Sequence, residues 1–520
     1  LFTLNNTVST NLNPQNYFQI VRIAGYFVQG RVDWKDELFL TGAVRADQSS
    51  TFPKANRTNY YPKASLAWNA TNHVAALVGN SPVLSYIKLR GAFGAVGREP
   101  SAYQYLNTYT GGAVGLDYGG GTTSPTQNGI GGLYSSTVRG APTLKPERTA
   151  ETEFGIDYAL FNQKVDGSVT YYKQNTTDVI FSLPTAASTG YSSSASNGGT
   201  ITNKGLEVVL NYRPIQAENL QWDIGLQWAK NTNKVTSLRG AEYLYLSGGF
   251  GVSGVVKNQP VGVFYGTDWV RCRYDVPDND NLQSTSLGDA TDVNALCRTA
   301  KAPNGALFVD ANGFPLADEK NRVLGNPNPD WTGSIRQGLT LYKHLTVSAL
   351  LDIKHGGVVW NGTRLALQRF GTVANTAIRA TCTNASTCTG NEKQFGISIE
   401  KSPGVVGPGA KKSVPIGENW YRVGLGNNFN GPTGQGVEDG GFVKLREISV
   451  GYTIDQPWVQ AWGASSVDLR LSGRNLALWT KYTGIDPETN LQGAIGIGRG
   501  QDYFNNPQTR SIALSIQVNR

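Results

Sequence analysis

The sequence predicts an all-β fold, an antiparallel transmembrane β-barrel wall with long loops at one end and short turns at the other. Three observations predict it. Side-chain polarity alternates with a period of two from one end of the chain to the other. The connections alternate between short and long. Aromatic residues, among them Tyr60, Tyr61, Trp68, Trp331, Trp479 and Tyr482, gather near strand ends, where an interfacial girdle sits.

The strands are expected to begin near Ile20, Glu37, Thr58, Val83, Arg148, Lys164, Ile201, Leu220, Glu242, Gly262, Trp331, Leu345, Gly441, Ser466 and Arg510. "LFTLNNTVST" at the start is a candidate for one more, giving about fifteen or sixteen. Each has the roughly 9–11 residues a tilted strand needs to cross a bilayer. In "AETEFGIDYAL", Phe154, Ile156, Tyr158 and Leu160 oppose Glu153, Gly155 and Asp157. In "LQWDIGLQWAK", Trp222, Ile224, Leu226 and Trp228 oppose Asp223, Gly225 and Gln227. "REISVGYTI" sets Ile448, Val450, Tyr452 and Ile454 against Ser449, Gly451 and Thr453. "SVDLRLSGR" sets Val467, Leu469 and Leu471 against Asp468, Arg470, Ser472 and Arg474. "RSIALSIQVNR" sets Ile512, Leu514, Ile516 and Val518 against small and polar residues. Such alternation fits a soluble sandwich as well as a barrel.

Loop lengths separate the two. Short connections fall at 33–37, 162–163, 214–219, 257–261 and 343–344. Long ones fall at about 97–147, 183–200, 273–330, 356–440 and 481–509, with brief exceptions at 48–57 and 231–240. Counting strands up and down in turn puts the long loops on one side. A transmembrane barrel obeys that parity and a sandwich has no reason to. The polar strand faces, with Asp223, Asp352, Asp468, Arg470 and Arg474, are expected to point into the lumen. In the long loops, Tyr103, Tyr105, Tyr109, Trp360, Trp420 and Tyr421 offer faces for stacking on a sugar or peptide.

Composition narrows the function. The net charge is +8, yet Lys and Arg stand singly and form no basic run, which argues against nucleic acid. No apolar stretch is long enough for a membrane helix, and the start lacks signal-peptide character. Four cysteines fall as two local loop pairs, and disulfides Cys272–Cys297 and Cys382–Cys388 are expected. The alternative is a zinc site, with three distant histidines and no CxxC. "GFGVSG" at 249–254 matches a dinucleotide fingerprint but lacks a following helix. "DANG" at 310–313 has too few carboxylates for a calcium loop. No nucleophile has a base in reach, so no catalytic, cofactor or metal residue is assigned, and the chain is not expected to be an enzyme.

Several stretches carry a family resemblance. "GRNLALWTKYTGIDPETN" (473–490) and "DGGFVKLREISVGYTI" (439–454) look like consecutive strands of the SusC/RagA-type TonB-dependent outer-membrane transporters. "TGAVRADQSSTF", "LKPERTAETEFGID", "GGTITNKGLEVVLNY" and "VLGNPNPDWTGSI" are similar to other segments of that family, in the same order. The resemblance implies a barrel of the 22-stranded class with a plugged lumen. It makes residues 1–520 the C-terminal part of such a barrel, with the plug and the N-terminal strands outside this sequence. The implied function is TonB-powered import of a bulky nutrient, a glycan, oligopeptide or similar, across the outer membrane. The implied partners are a SusD-like surface lipoprotein, the TonB–ExbB–ExbD complex and outer-membrane lipids. The rival reading is a surface-exposed all-β glycan-binding protein or adhesin with no transport role.

Overall fold

The computed structural model describes residues 18–78, 83–109, 135–246, 252–272, 315–377, 431–493 and 498–520, with short pieces of the loops between them. Two compact units emerge. The first holds β1 (Ile23–Trp34), β2 (Leu38–Ser49), β3 (Thr58–Asn69), β4 (Leu84–Arg98) and β5 (Glu147–Leu160). It also takes the loop-side parts of three long strands, β6 (Val165–Pro184), β7 (Ser193–Ala217) and β8 (Leu220–Leu238). β1 to β5 are antiparallel neighbours in chain order. Lys35 and Asp36, the central residues of the turn between β1 and β2, both take positive φ, which suits the twist of a β-hairpin. A short helix, α1 (Thr71–Val78), joins β3 to β4.

The second unit holds the turn-side parts of β6, β7 and β8, and the rest of the described chain from Tyr243 onward. A four-stranded sheet comes first, from β9 (Tyr243–Tyr245), β10 (Ser253–Val256), β11 (Val261–Trp269) and β12 (Ala317–Gly325). Then come β13 (Trp331–Leu341) and β14 (Leu345–His355), whose register continues from β8. Next are β15 (Val358–Asn361), the helix α2 (Gly362–Phe370) and β16 (Val437–Asp439). β17 (Phe442–Ile454), the short helix α3 (Pro457–Ala461), β18 (Ser466–Thr480), β19 (Gln501–Asp502) and β20 (Ser511–Asn519) finish the chain. β14, β17, β18 and β20 are antiparallel neighbours. β16, β15 and β19 make a small cap sheet.

The long antiparallel strands invert the usual inside-out rule. On β20, Ile512, Leu514, Ile516 and Val518 are all exposed, Ile512 at 75%. Phe154 and Ile156 of β5 and Leu471 of β18 are exposed likewise. An apolar surface this extensive suits lipid and not water. No described helix is long and apolar enough to cross a membrane. The hydrophobic core lies elsewhere, in loop structure, where Val252, Phe264 and Trp360 pack with Leu324, Val358, Leu365, Val437 and Tyr503.

Two expected wall strands differ. Those beginning near Glu242 and Gly262 form β9 and β11 of the separate four-stranded sheet. The reason is burial. Val255, Val263, Phe264 and Trp269 are all buried, so β10 and β11 have no lipid-facing row. The short 257–261 connection is therefore a hairpin within one long connection between β8 and β13. Removing a pair of strands leaves the loop parity intact. The loop expected at 183–200 is mostly strand, because β6 runs to Pro184 and β7 starts at Ser193. The candidate strand at 1–10 and the "DANG" stretch lie outside the described residues.

Candidate functional site

The polar face of the second unit carries the most organised chemistry. It begins with an irregularity. The pairing of β17 with β14 shifts between Leu350 and Leu351, and with β18 between Leu445 and Glu447. A bulge adds one residue to a strand and re-aims the side chains around it. Here it keeps Lys444, Arg446 and Glu447 all on the polar side while Ile448 returns to the apolar one. Arg446 donates to Asp352 of β14 at 2.6 Å and 3.0 Å. It also donates to Glu488 at 2.7 Å. Lys444 donates to both carboxylate oxygens of Asp486 at 2.9 Å and to Glu488. Lys444 and Asp486 are buried. Glu488 donates its backbone N–H to Asp486 at 2.9 Å, a turn that holds the two carboxylates side by side. Burial pushes the Glu488 carboxyl up, but hydrogen bonds from Arg446 and Lys444 outweigh it and hold the group below the usual glutamate range.

The same post-β18 segment is tied to the cap. Tyr482 donates its hydroxyl to Asp502 at 2.6 Å, and burial followed by that carboxylate pushes the phenol well up. Thr363 donates to the other Asp502 oxygen at 2.9 Å. Glu438 accepts from the backbone and hydroxyl of Thr483 and from Asn361. It also lies 2.7 Å from the Arg364 guanidinium. Asn361 N-caps α2 through the Arg364 backbone N–H. Residues 481–488 are thus bolted to strand and cap together.

Beside the Arg446 cluster lies a cavity of about 640 Å³, lined by Asn211, Gln227, Ser334, Arg336, Leu350, Asp352 and Arg446 among others. Its polar lining mixes amide, hydroxyl, guanidinium and carboxylate groups. Such a wall can hold a polar solute, and Arg446 within it already faces the Asp352 and Glu488 carboxylates.

The expected polar-face residues share this side of their strands. Asp352 binds Arg446. Asp468 accepts from Thr453 and Asn519. Arg474 pairs with Glu447 at 3.2 Å, and Asp223 lies 3.5 Å from Arg213. Arg470 stands opposite Gly451. The loop aromatics divide. Tyr103 and Tyr109 are exposed, and Tyr103 accepts a hydrogen bond from the Ile20 backbone. Tyr105 packs on Ala141, Leu144 and Ala195. Trp360 and Tyr421 are corrected: both are buried, Tyr421 to 1% exposure, and neither presents a free stacking face. Trp360 packs instead on Phe250 at 5.2 Å and on the cap core. Trp420 lies outside the described residues.

Cys272 is disulfide-bonded. Cys297 lies outside the described residues. Cys382 and Cys388 are register partners on a two-stranded hairpin whose side chains are not described. Lys444, Arg446, Asp486 and Glu488 were missed as a site, although K-x-R and D-x-E have matching spacings that could have paired them.

Comparison with known proteins follows this geometry. The family model described as TonB dependent receptor-like, beta-barrel matches residues 2–476. TonB-dependent receptor P3 of Formosa agariphila is 25% identical over 524 residues, covering 98% of this chain and 47% of that protein. TonB-dependent receptor SusC of Bacteroides thetaiotaomicron is 22% identical over 513 residues, covering 95% and 44%. The solved RagAB peptide importer in its closed-closed state shares the fold at a TM-score of 0.67 and 18% identity, covering 100% of this chain and 50% of that one. The chain spans about half the length of the curated relatives it matches.

Proposed function

The chain belongs to the TonB-dependent receptor-like β-barrel family, and from that premise we propose that it forms C-terminal wall of an outer-membrane active importer. The family is one of receptors and transporters of the outer membrane. The cargo is a bulky nutrient of the glycan or oligopeptide kind, taken up unaltered. Energy comes from the TonB–ExbB–ExbD complex, and a SusD-like surface lipoprotein delivers the cargo. Asp223, Asp352, Asp468, Arg470 and Arg474 face the lumen in this reading. Cys272–Cys297 and Cys382–Cys388 brace the outer loops.

One observation carries the reading. An exposed apolar strand face is backed by a polar face rich in paired charge and hollowed by the 640 Å³ cavity. A water-soluble adhesin has no use for the first of these. The test is uptake by living cells of whatever solute co-purifies with the complete protein, identified by mass spectrometry. Accumulation should need both this protein and the proton-motive force. Uptake that persists at full rate after a protonophore collapses that force sinks the import reading.

A further inference from the structure

Three tyrosines share one face of the four-stranded loop sheet. Tyr243 and Tyr245 stand two residues apart on β9, so their side chains point the same way. Tyr265 comes from β11. The ring centroids lie 5.5 Å apart for Tyr243 and Tyr245, 4.8 Å for Tyr243 and Tyr265, and 6.1 Å for Tyr245 and Tyr265. Gly254 on the intervening β10 makes the cluster possible. It is the register partner of Tyr245, and a methyl group there would sit 3.2 Å from the Tyr265 Cβ. Val323 of β12 is the register partner of Tyr265 and extends the exposed face.

The opposite side of the sheet is closed by Leu244, Val255 and Phe264, all buried. The platform is therefore backed by core and held on strands, which fixes side chains better than a free loop does. Tyr243 and Tyr245 are exposed. Among the described residues none of the three phenol hydroxyls has a hydrogen-bond partner. Burial pushes the Tyr245 and Tyr265 phenols up, and the titratable groups acting on Tyr245 are Tyr243 and Tyr265 alone. Among the described residues the face thus offers three ring surfaces and three hydroxyls without a partner, and no charged group acts on Tyr245 or Tyr265.

We propose that this platform is a binding subsite for a neutral pyranose unit of an oligosaccharide. The C–H face of a sugar ring stacks on an aromatic face, and its hydroxyls exchange hydrogen bonds with the phenols. A uronate, a sulfated sugar or a peptide terminus finds no counter-ion among the described residues of this face. The assignment names the cargo class, and so rests on the import reading for its biological use. Binding itself requires no energy source.

The test uses the complete protein in detergent and calorimetric titration with maltohexaose, cellohexaose and laminarihexaose as neutral probes. A hexauronate and a proline-rich peptide are the contrasting probes. At least one neutral probe should bind. Tyr245→Ala and Tyr265→Ala should each weaken it by roughly tenfold. Tyr265→Phe, which keeps the ring, should weaken it less. Gly254→Val should weaken binding by displacing Tyr265, with the thermal transition of the wall unchanged. Binding of the peptide or the uronate alone, no binding of any neutral probe, or neutral binding untouched by both alanine variants overturns the proposal. Energised uptake with intact tyrosine-independent binding defeats the subsite and spares import. Tyrosine-dependent binding with energy-independent uptake does the reverse.

Discussion

The cluster around Arg90 in the first unit and the cluster around Lys444 in the second use the same chemistry to different ends. Arg90 crosses the bare backbone of Gly155 to reach Glu153, Asp157 and Thr170. Lys88 joins at 3.7 Å from Asp157. All the acidic partners sit on β5, the neighbouring strand, and the side chains stay about 30% exposed. Lys444 has 4% of its side chain exposed, and its partners come from a loop that folds back over the strand. The first arrangement is a rung between strands that pair regardless. The second is a clamp that holds Asp486 and Glu488 against the wall. Exposure decides the energetics. A solvated pair contributes little, while breaking a buried one leaves an uncompensated charge.

The largest effect should come from Lys444→Met, which strands the buried Asp486 carboxylate. Unfolding in detergent should show a loss of about 3–5 kcal/mol. Adding Asp486→Leu should recover much of it, because the orphaned charge is then gone too. A loss no larger than that of Arg90→Ala would erase the contrast. Leu471→Lys, on the apolar face of β18, should cost about 2–4 kcal/mol in lipid. Arg470→Leu next to it should cost less, and the reverse order would mean the faces are exchanged.

Acid should loosen the clamp next. Glu488 has a folded pKa below its unfolded value, so its stabilisation is present above the unfolded pKa. It is lost as the pH falls through the folded pKa. Cleavage of the 481–493 segment by a protease active in acid should therefore rise on acidification, and Glu488→Gln should flatten that rise. Cleavage unchanged with pH would remove Glu488 from the clamp. The smallest effect should be that of Arg90→Ala, on the order of 1 kcal/mol or less, since its partners keep access to water.

Most of the wall was legible because a strand's period is local. The starts expected at Thr58, Leu220, Trp331, Leu345 and Ser466 coincide with those observed, and on β5 and β17 the exposed residues Phe154, Ile156, Ile448, Val450 and Tyr452 belong to the expected apolar faces. Short runs such as 243–245 and 261–269 misled because a buried loop sheet and a membrane strand share apolar composition. The buried row of Leu244, Val255 and Phe264, which packs on protein core, tells them apart. The clamp was illegible for a different reason. Lys444 lies 42 residues from Asp486 and 44 from Glu488, and no local period links them. Trp360 read as a binding aromatic because sequence gives residue type and not its neighbours. The β9–β10–β11 tyrosines escaped notice because they meet only through Gly254.

The strands β6, β7 and β8 have 20, 25 and 19 residues. A bilayer needs only about half of that, at roughly 3.3 Å per residue. In the import reading the surplus stands clear of the lipid as paired backbone, a stiff palisade on the cell exterior. Trypsin added to intact cells should spare Lys204 and Lys234, because both lie within β7 and β8 and a protease must open a strand to cut it. An antibody raised against this region should likewise recognise folded surface and fail on the denatured chain. What the cell shows its surroundings here is architecture, with little loose peptide for an enzyme or an immune system to grip.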